Sequence, residues 1–322
     1  HDNYDGYSEG DSGNVDGFGG HANKETSTGN IFRGCRAWNN GDDGFDLINC
    51  YASYIIEYCW SFRNGYKPHS IESSGGNGAG FKSGGYGMGD IKKVPNPIPQ
   101  HTVRYCLAYY NRQQGFYSNH HLGGLIFENN TAYKNPSNYN MLNRKSSNEA
   151  VDVPGYGHII KNNLSLSPRN SGGFPQHLIN VDNTLSEIKN NSFAPNDLNL
   201  SESDFESLNE QELMGSRKSD GSLPDINFLR LTNHANFRFS GMGCFINEEA
   251  VDYSWIQEPA IVLENGVARI VGEDSKSFNK FYVNGEEVSI ENGIVDLTSM
   301  SGELNLKAIS ENGAVTTLII NK

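Results

Sequence analysis

The sequence predicts an all-β protein, a right-handed parallel β-helix followed by a small antiparallel β-sandwich. One observation is a degenerate repeat with a step of 24 residues, and another is a series of short β-branched and aromatic runs with no long helical pattern between them. A third is the low hydrophobic content, 36% of 322 residues. A solenoid tolerates this content because each coil buries only a narrow strip.

The repeat has Cys or Asn first, a small residue third, an aromatic residue fourth and Asn sixth. Its clearest copies begin at Cys35, Cys59, Cys106 and Asn130. The step of 47 residues from Cys59 to Cys106 fits one coil with a long insertion, which we assign to residues 69–100. Stacked coils bring equivalent positions to about 4.8 Å from one another. We therefore predict a structural ladder of the sixth-position asparagines, Asn40, Asn64, Asn111 and Asn135.

From about residue 250 the repeat gives way to short strands separated by turns such as Asn284-Gly285. We therefore predict two domains, a β-helix over residues 1–245 and a small accessory β-sandwich over residues 246–322. The numbering opens abruptly at His1, so we expect further coils of the β-helix upstream of it.

The composition argues against several classes of partner. A net charge of −13 disfavours nucleic acid, whose phosphates need a basic surface. No apolar run approaches the roughly 20 residues of a membrane span. None of the five cysteines forms a CxxC pair, which disfavours a zinc site. An acidic chain can still bind an anionic substrate where a divalent cation reverses the local field.

A second repeat, Gly-Phe, follows successive coils in the segments 16–18, 43–46, 80–82 and 115–117. Stacked strands place the residues beside each Gly-Phe on one longitudinal stripe. That stripe contains four carboxylates and a lysine, Asp16, Asp42, Asp43, Asp46 and Lys82. Clustered carboxylates repel one another unless a cation neutralises them, and Ca²⁺ suits such all-oxygen ligation. The alternative, for the run at residues 40–44 taken alone, is a solvated turn.

Several of these segments resemble polysaccharide lyase family 9, which includes pectate lyases and rhamnogalacturonan lyases. Residues 13–18 and 38–46 are similar to its two calcium-site segments, and residues 59–66 followed by 76–82 are similar to its catalytic-lysine segment. The resemblance implies a catalytic β-helix in which a main-chain oxygen near Gly17 completes the calcium shell and Lys82 is the base. The calcium ligands that it implies are Asp16, Asp42, Asp43 and Asp46.

The chemistry of β-elimination agrees with these residue types. The reaction removes the C5 proton of a uronic acid, and a cation on the neighbouring carboxylate stabilises the charge that develops. A nearby cation also favours the neutral, basic form of a lysine. We therefore expect a calcium-dependent lyase that acts on an acidic pectic polysaccharide. We expect it to be monomeric and secreted, periplasmic or on the cell surface.

Weaker candidates for substrate binding follow on the next coils. Tyr117, His120 and His121 come directly after the Gly-Phe of residues 115–116, and Arg144 could pair with a substrate carboxylate. The alternatives are a surface histidine pair and a solvated basic turn. The polymer stays open between homogalacturonan and the rhamnogalacturonan-I backbone, since the segment 116–121 is bulky for a plain polygalacturonate groove.

Two other classes of function stay open. A pectin glycoside hydrolase would need two carboxylates at a defined separation, and it would leave Lys82 without a role. A non-catalytic carbohydrate-binding β-helix would use calcium for structure alone. Ultraviolet absorbance of an unsaturated uronide product distinguishes a lyase from both.

Overall fold

The computed structural model describes residues 1–6, 12–87, 94–169, 176–193, 198–246, 260–271, 278–291, 293–311 and 315–322. The chain divides into two compact units. The first unit comprises His1–Arg230 with Met242–Ile246, and the second comprises Leu231–Gly241 with Asn247–Lys322. Each unit has an apolar core of its own.

Three parallel sheets of six, six and five strands form the first unit, and in the described residues each of the first five coils adds one strand to each sheet. The first sheet contains β1 (Phe18–Gly19), β4 (Phe45–Asp46), β7 (Phe81–Lys82), β10 (Phe116–Tyr117), β13 (Tyr139–Asn140) and β18 (Leu178–Ile179). The second contains β2 (Asn30–Arg33), β5 (Tyr54–Glu57), β8 (Thr102–Arg104), β11 (Ile126–Glu128), β16 (Ile159–Lys161) and β19 (Glu187–Lys189). The third contains β3 (Arg36–Trp38), β6 (Trp60–Phe62), β9 (Leu107–Tyr109), β12 (Thr131–Tyr133) and β17 (Leu164–Leu166). This arrangement confirms the predicted parallel β-helix.

The predicted insertion, residues 69–100, is not a single loop. It contains β7, so two loops flank a regular strand of the first sheet. After β13 the chain adds an antiparallel hairpin, β14 (Asn143–Ser146) and β15 (Glu149–Val153). These loops and the hairpin lie outside the repeating part of each coil.

The inward positions of the first sheet hold a stack of aromatic rings. Phe18, Phe45, Phe81, Phe116 and Tyr139 follow one another with ring centroids 4.9–5.0 Å apart. Because side chains alternate along a strand, the second residue of each two-residue strand faces the opposite side. The Gly-Phe repeat is therefore the sequence signature of this sheet.

Buried asparagine ladders connect the coils, as predicted. The Asn40 amide donates to Asn64 Oδ1 at 2.8 Å, Asn64 donates to Asn111 at 2.9 Å, and Asn111 donates to Asn135 at 3.0 Å. A second ladder runs from Asn130 through Asn163 to Asn191. Each amide satisfies a group on the next coil, which allows these polar side chains to be buried.

A less regular segment lies against the third sheet. It includes two short 3₁₀ helices, Glu202–Asp204 and Glu210–Met214. Tyr133 donates its hydroxyl hydrogen to Glu202 at 3.0 Å, and Arg63 pairs with Glu210 at 2.5 Å. These contacts hold the segment on the outer side of that sheet.

The second unit contains a short helix and two antiparallel sheets. The helix is α1 (Asn233–Arg238), capped by the Thr232 side chain. One sheet has the order β20 (Ala260–Glu264), β21 (Val267–Val271), β24 (Ile294–Asp296). The other has the order β23 (Glu286–Val288), β22 (Phe278–Val283), β25 (Glu303–Ser310), β26 (Val315–Asn321). Both sheets contribute to one apolar core around Phe281 and Leu306, which makes the unit a small β-sandwich.

Across the described residues, no helix has the length and apolar character needed to cross a bilayer.

Candidate active site

The outward positions of the first sheet carry one polar side chain on each of four successive coils. Asp46 of β4 pairs in register with Lys82 of β7, Lys82 pairs with Tyr117 of β10, and Tyr117 pairs with Asn140 of β13. We call these four residues the polar stripe. Neighbouring members are about 4.8 Å apart along the helix axis because they occupy adjacent parallel strands.

Glycine precedes each phenylalanine because the chain passes close to the next coil there. A Cβ on Gly44 would lie 2.0 Å from Ser61 Oγ and 2.7 Å from the Gly80 carbonyl oxygen. A Cβ on Gly80 would lie 2.7 Å from the Asn111 amide nitrogen. The glycines therefore let the strands stack closely against the asparagine ladder, and this keeps the polar stripe in register.

Three carboxylates meet at one end of the polar stripe. Asp16, Asp43 and Asp46 each offer an oxygen, and these oxygens lie within 4.8 Å of one another. We call these three residues the acidic cluster. Backbone amides orient them, since Asp43 N–H donates to Asp16 at 2.9 Å, Ala79 N–H donates to Asp43 at 2.6 Å, and Ile48 N–H donates to Asp46 at 2.7 Å.

The Lys82 ammonium lies against the acidic cluster. Its Nζ is 3.0 Å from Asp46 Oδ2 and 3.1 Å from Asp43 Oδ2. Burial lowers the pKa of Lys82, but the charges of Asp43 and Asp46 outweigh burial, so the pKa lies above the ordinary value. In this arrangement Lys82 is protonated and acts as the counter-ion of the cluster.

The carboxylates themselves are in an unfavourable environment. Burial raises the pKa of Asp43 well above its ordinary value, and the Lys82 charge opposes that rise. Burial and the charges of Asp46 and Asp42 raise the pKa of Asp16 to about 7. Asp43 Oδ2 is buried and, despite its contact with Lys82, has no partner in hydrogen-bonding geometry. A buried, all-oxygen donor set with one oxygen unsatisfied fits a hard divalent cation.

Asp42, which the sequence placed among the metal ligands, is not brought into the acidic cluster. Its Oδ2 accepts a hydrogen bond from the backbone N–H of Asn14 at 2.6 Å, and its Oδ1 accepts one from the backbone N–H of Asn77 at 2.5 Å. The carboxylate thus holds two chain segments beside the cluster. Gly17 lies in the same region, and its amide donates to the Asp43 carbonyl oxygen at 3.0 Å.

A chain of polar contacts leads away from Tyr117. Its hydroxyl lies 2.9 Å from His120 Nε2, and His120 Nδ1 lies 2.7 Å from Asp152 Oδ1. Arg144 Nη1 lies 3.2 Å from the same Asp152 oxygen. Burial raises the pKa of Tyr117 to about 12. The sequence reasoning missed Asp152, although it lies directly opposite Arg144 in the β14–β15 hairpin.

Two predicted substrate-binding residues have internal partners instead. His121 is fully buried, its Nδ1 accepts from the Gly85 amide at 3.1 Å, and its Nε2 lies 3.0 Å from the Pro99 carbonyl oxygen. Burial lowers its pKa to about 4, so the ring is neutral and anchors the neighbouring loop. Arg144 is 6% exposed at its side chain and is paired with Asp152. The sequence around His121 and Arg144 does not indicate that they are buried, because their burial depends on contacts with segments of other coils and of the hairpin.

Two family models match the chain. Residues 1–192 match the model described as Pel9A-like, right handed beta helix region, and residues 182–317 match the model described as rhamnogalacturonan lyase-like, C-terminal. A pectate lyase L from Dickeya chrysanthemi is 35% identical over 240 residues, which cover 74% of this chain and 48% of that protein. The chain therefore spans about half the length of this curated relative.

Two solved structures are similar in fold. A rhamnogalacturonan lyase has 54% sequence identity and a TM-score of 0.69, and the match covers 76% of this chain and 58% of that one. The pectate lyase Pel9A has 30% identity and a TM-score of 0.58, with 76% of this chain and 57% of that one covered.

Proposed function

The chain belongs to the Pel9A-like right-handed β-helix family, and from this premise we propose that it is a polysaccharide lyase that cleaves a galacturonate-containing pectic polysaccharide by β-elimination. The observation that carries the proposal is the contact between a buried lysine and three clustered carboxylates on neighbouring strands of one sheet. A hydrolase would have no use for Lys82 in this position.

We assign the acidic cluster to calcium. Asp16, Asp43 and Asp46 are the proposed ligands, while Asp42 holds the surrounding segments and Gly17 lies beside the site. When bound there, calcium supplies the positive charge that stabilises negative charge developing on the uronate carboxylate. The raised pKa values of Asp16 and Asp43 support a role for a cation, because their ionised forms need a positive partner.

Lys82 is the proposed base that removes the C5 proton. Asp43 and Asp46 hold its Nζ in place and also keep it protonated. A cation bound to these carboxylates would neutralise the charges that raise the pKa of Lys82. Burial, which lowers that pKa, would then dominate. The neutral amine can then accept a proton.

The proposed substrate is the rhamnogalacturonan-I backbone. The solved rhamnogalacturonan lyase shares 54% of aligned residues with this chain, against 30% for the solved pectate lyase. A match to a rhamnogalacturonan lyase-like C-terminal model over residues 182–317 points in the same direction. Homogalacturonan is the competing polymer, because one galacturonate at the reacting position satisfies the chemistry of either.

Further aspects of the proposal concern the whole protein. We propose that it acts as a monomer in a secreted, periplasmic or cell-surface location, where pectic polymers are accessible. Residues 246–322 are proposed as an accessory domain, because the acidic cluster and the polar stripe both lie in the first unit.

The test follows ultraviolet absorbance during incubation with rhamnogalacturonan-I or polygalacturonate, with calcium or with chelator. We expect a calcium-dependent rise that is faster on rhamnogalacturonan-I and that is abolished in Lys82→Ala. Lys161→Ala is the matched control, since this lysine lies on the second sheet and pairs with Glu187.

Other outcomes would identify a different function. New reducing ends without ultraviolet absorbance would indicate a hydrolase. Calcium binding with no turnover of either polymer would indicate a non-catalytic carbohydrate-binding β-helix.

A further inference from the structure

The residue that follows Lys82 on the polar stripe is the first member of a fixed polar chain. Tyr117 is directly opposite Lys82 in the register of β7 and β10, so both side chains project from the same face of the first sheet. The Tyr117 hydroxyl contacts His120, and His120 contacts Asp152. The proposed function gives Lys82 a role but leaves this neighbouring hydroxyl without one.

The β-elimination reaction needs a proton donor as well as a base. When the C4–O4 bond breaks, the departing sugar carries negative charge on O4, and an alkoxide is a poor leaving group unless it receives a proton. In galacturonic acid the C5 hydrogen and O4 project to opposite faces of the ring. The group that donates the proton must therefore differ from the group that accepts it.

The polar chain orients the Tyr117 hydroxyl. Asp152 contacts His120 Nδ1 at 2.7 Å, so Nε2 is the ring nitrogen presented to Tyr117 at 2.9 Å. Arg144, which is buried, contacts Asp152 from the neighbouring strand of the hairpin. The hydroxyl is thus held at one position, on a strand next to that of the base. Burial raises the pKa of Tyr117 to about 12, which keeps the hydroxyl protonated at neutral pH.

We propose that Tyr117 is the proton donor to O4 of the departing sugar, and that His120 and Asp152 are positioning residues for it. This inference rests on the proposed lyase function. Lys82 accepts the C5 proton, and the electrons of the C5–H bond form the C4=C5 double bond. The C4–O4 bond breaks with its electron pair on O4, which takes the proton of the Tyr117 hydroxyl. The tyrosinate then recovers a proton from solvent by way of His120 Nε2.

The test compares two leaving groups in Tyr117→Phe. One substrate is the polysaccharide, whose leaving sugar needs a proton. The other is a galacturonic acid methyl glycoside with a 4-nitrophenyl ether at O4, whose phenolate departs without one. We expect kcat on the polysaccharide to fall more than about 100-fold, and kcat on the aryl ether to change less than about tenfold. Lys82→Ala loses activity on both, because both reactions need the base.

Two further variants complete the test. Tyr109→Phe is the matched control, because this tyrosine is on the third sheet and contacts Glu210, so full activity is expected. His120→Ala should lower kcat on the polysaccharide but not on the aryl ether, a selectivity that a purely structural role would not produce. Thermal melting and calcium titration verify that each variant is folded.

Several results would overturn the proposal. An equal loss on both substrates in Tyr117→Phe would assign the hydroxyl to substrate binding or structure. No loss on either would mean that water supplies the proton. If the wild-type protein forms no unsaturated product from any substrate, the lyase function itself fails and the role of Tyr117 fails with it, whereas an active wild type with an unaffected Tyr117→Phe refutes this inference alone.

Discussion

At the scale of single residues, Asp43 is the carboxylate of the acidic cluster whose ionised form is most strongly disfavoured by burial. Its carboxylate is fully buried, and Oδ2 lacks a hydrogen bond although Lys82 is 3.1 Å away. A buried carboxylate is stable in its ionised form only with a strong positive partner. The position therefore favours cation binding over stability of the ion-free protein.

Asp43→Asn should weaken calcium binding. We expect the dissociation constant for calcium to rise by more than about tenfold. Loss of a residue that only hydrogen-bonds to a metal ligand commonly weakens metal affinity by that much, and Asp43 is itself a proposed ligand. Isothermal titration calorimetry with calcium is the measurement. Asp225→Asn, at an exposed position paired with Lys218, is the control and should bind normally. Unchanged affinity in Asp43→Asn would contradict the assignment of the acidic cluster to calcium.

Some residues of the site could be predicted from sequence and others could not. Asp16, Asp43, Asp46 and Lys82 come together as predicted because each lies beside a Gly-Phe pair, and the strand register fixes their stacking. The orientation of Asp42 depends on hydrogen bonds from the backbone N–H groups of Asn14 and Asn77. No short sequence motif indicates these contacts between distant segments. The burial of His121 likewise depends on the loop that contains Gly85 and Pro99.

At the scale of elements, the asparagine ladder carries much of the specificity of coil stacking. Asn111 is fully buried, and its Oδ1 accepts from both the backbone and side-chain nitrogen of Asn64 at 3.2 and 2.9 Å. Its own amide donates to Ser61 O and to Asn135. One side chain therefore satisfies groups on the coils before and after it.

Asn111→Ala should destabilise the first unit by about 1–3 kcal/mol, because it leaves the buried backbone N–H of Asn64 without an acceptor. Chemical denaturation followed by circular dichroism measures this change in the free energy of unfolding. Asn227→Ala, at an exposed position, should change it by less than about 0.5 kcal/mol. A similar stability for the two variants would mean that the ladder contributes little.

The ladder and the strands could be predicted because a solenoid places the same residue type at the same position of each coil. The 24-residue step and the sixth-position asparagines are local signals that each copy reinforces. The assignment of residues 69–100 to one insertion was wrong, because the Gly-Phe of residues 80–81, which the second repeat had placed on a stacked strand, forms β7 inside that range. The β14–β15 hairpin was also missed, since its sequence is polar and its strands do not belong to the repeat.

At the scale of the whole molecule, three buried histidines make the folded state sensitive to acid. Burial lowers the pKa of His101 to about 3 and the pKa values of His121 and His158 to about 4. An unfolded chain protonates these histidines near their ordinary pKa of about 6.5. Between pH 6.5 and 4 these histidines bind protons in the unfolded state but not in the folded state, so their contribution to stability falls as pH falls through this window.

We expect each of these histidines to lower the free energy of unfolding by up to about 3 kcal/mol between pH 7 and pH 4. Asp16 and Asp43 act in the opposite direction over this range, because their raised pKa values make the folded state bind protons before the unfolded state does. His158→Gln should reduce this pH dependence, whatever its effect on stability at pH 7. Denaturant titrations at several pH values measure the slope. An equal slope in His158→Gln and the wild type would refute the assignment.

The polar stripe and the loops that surround it can change independently as such proteins diverge. The stripe is fixed by strand register, while the loops around β7 and the β14–β15 hairpin are additions between strands. A lineage could lengthen or exchange these additions without moving the groups to which we assign proton transfer. Inheritance of the reaction and acquisition of a new polymer preference would then be independent events, recorded in different parts of each coil.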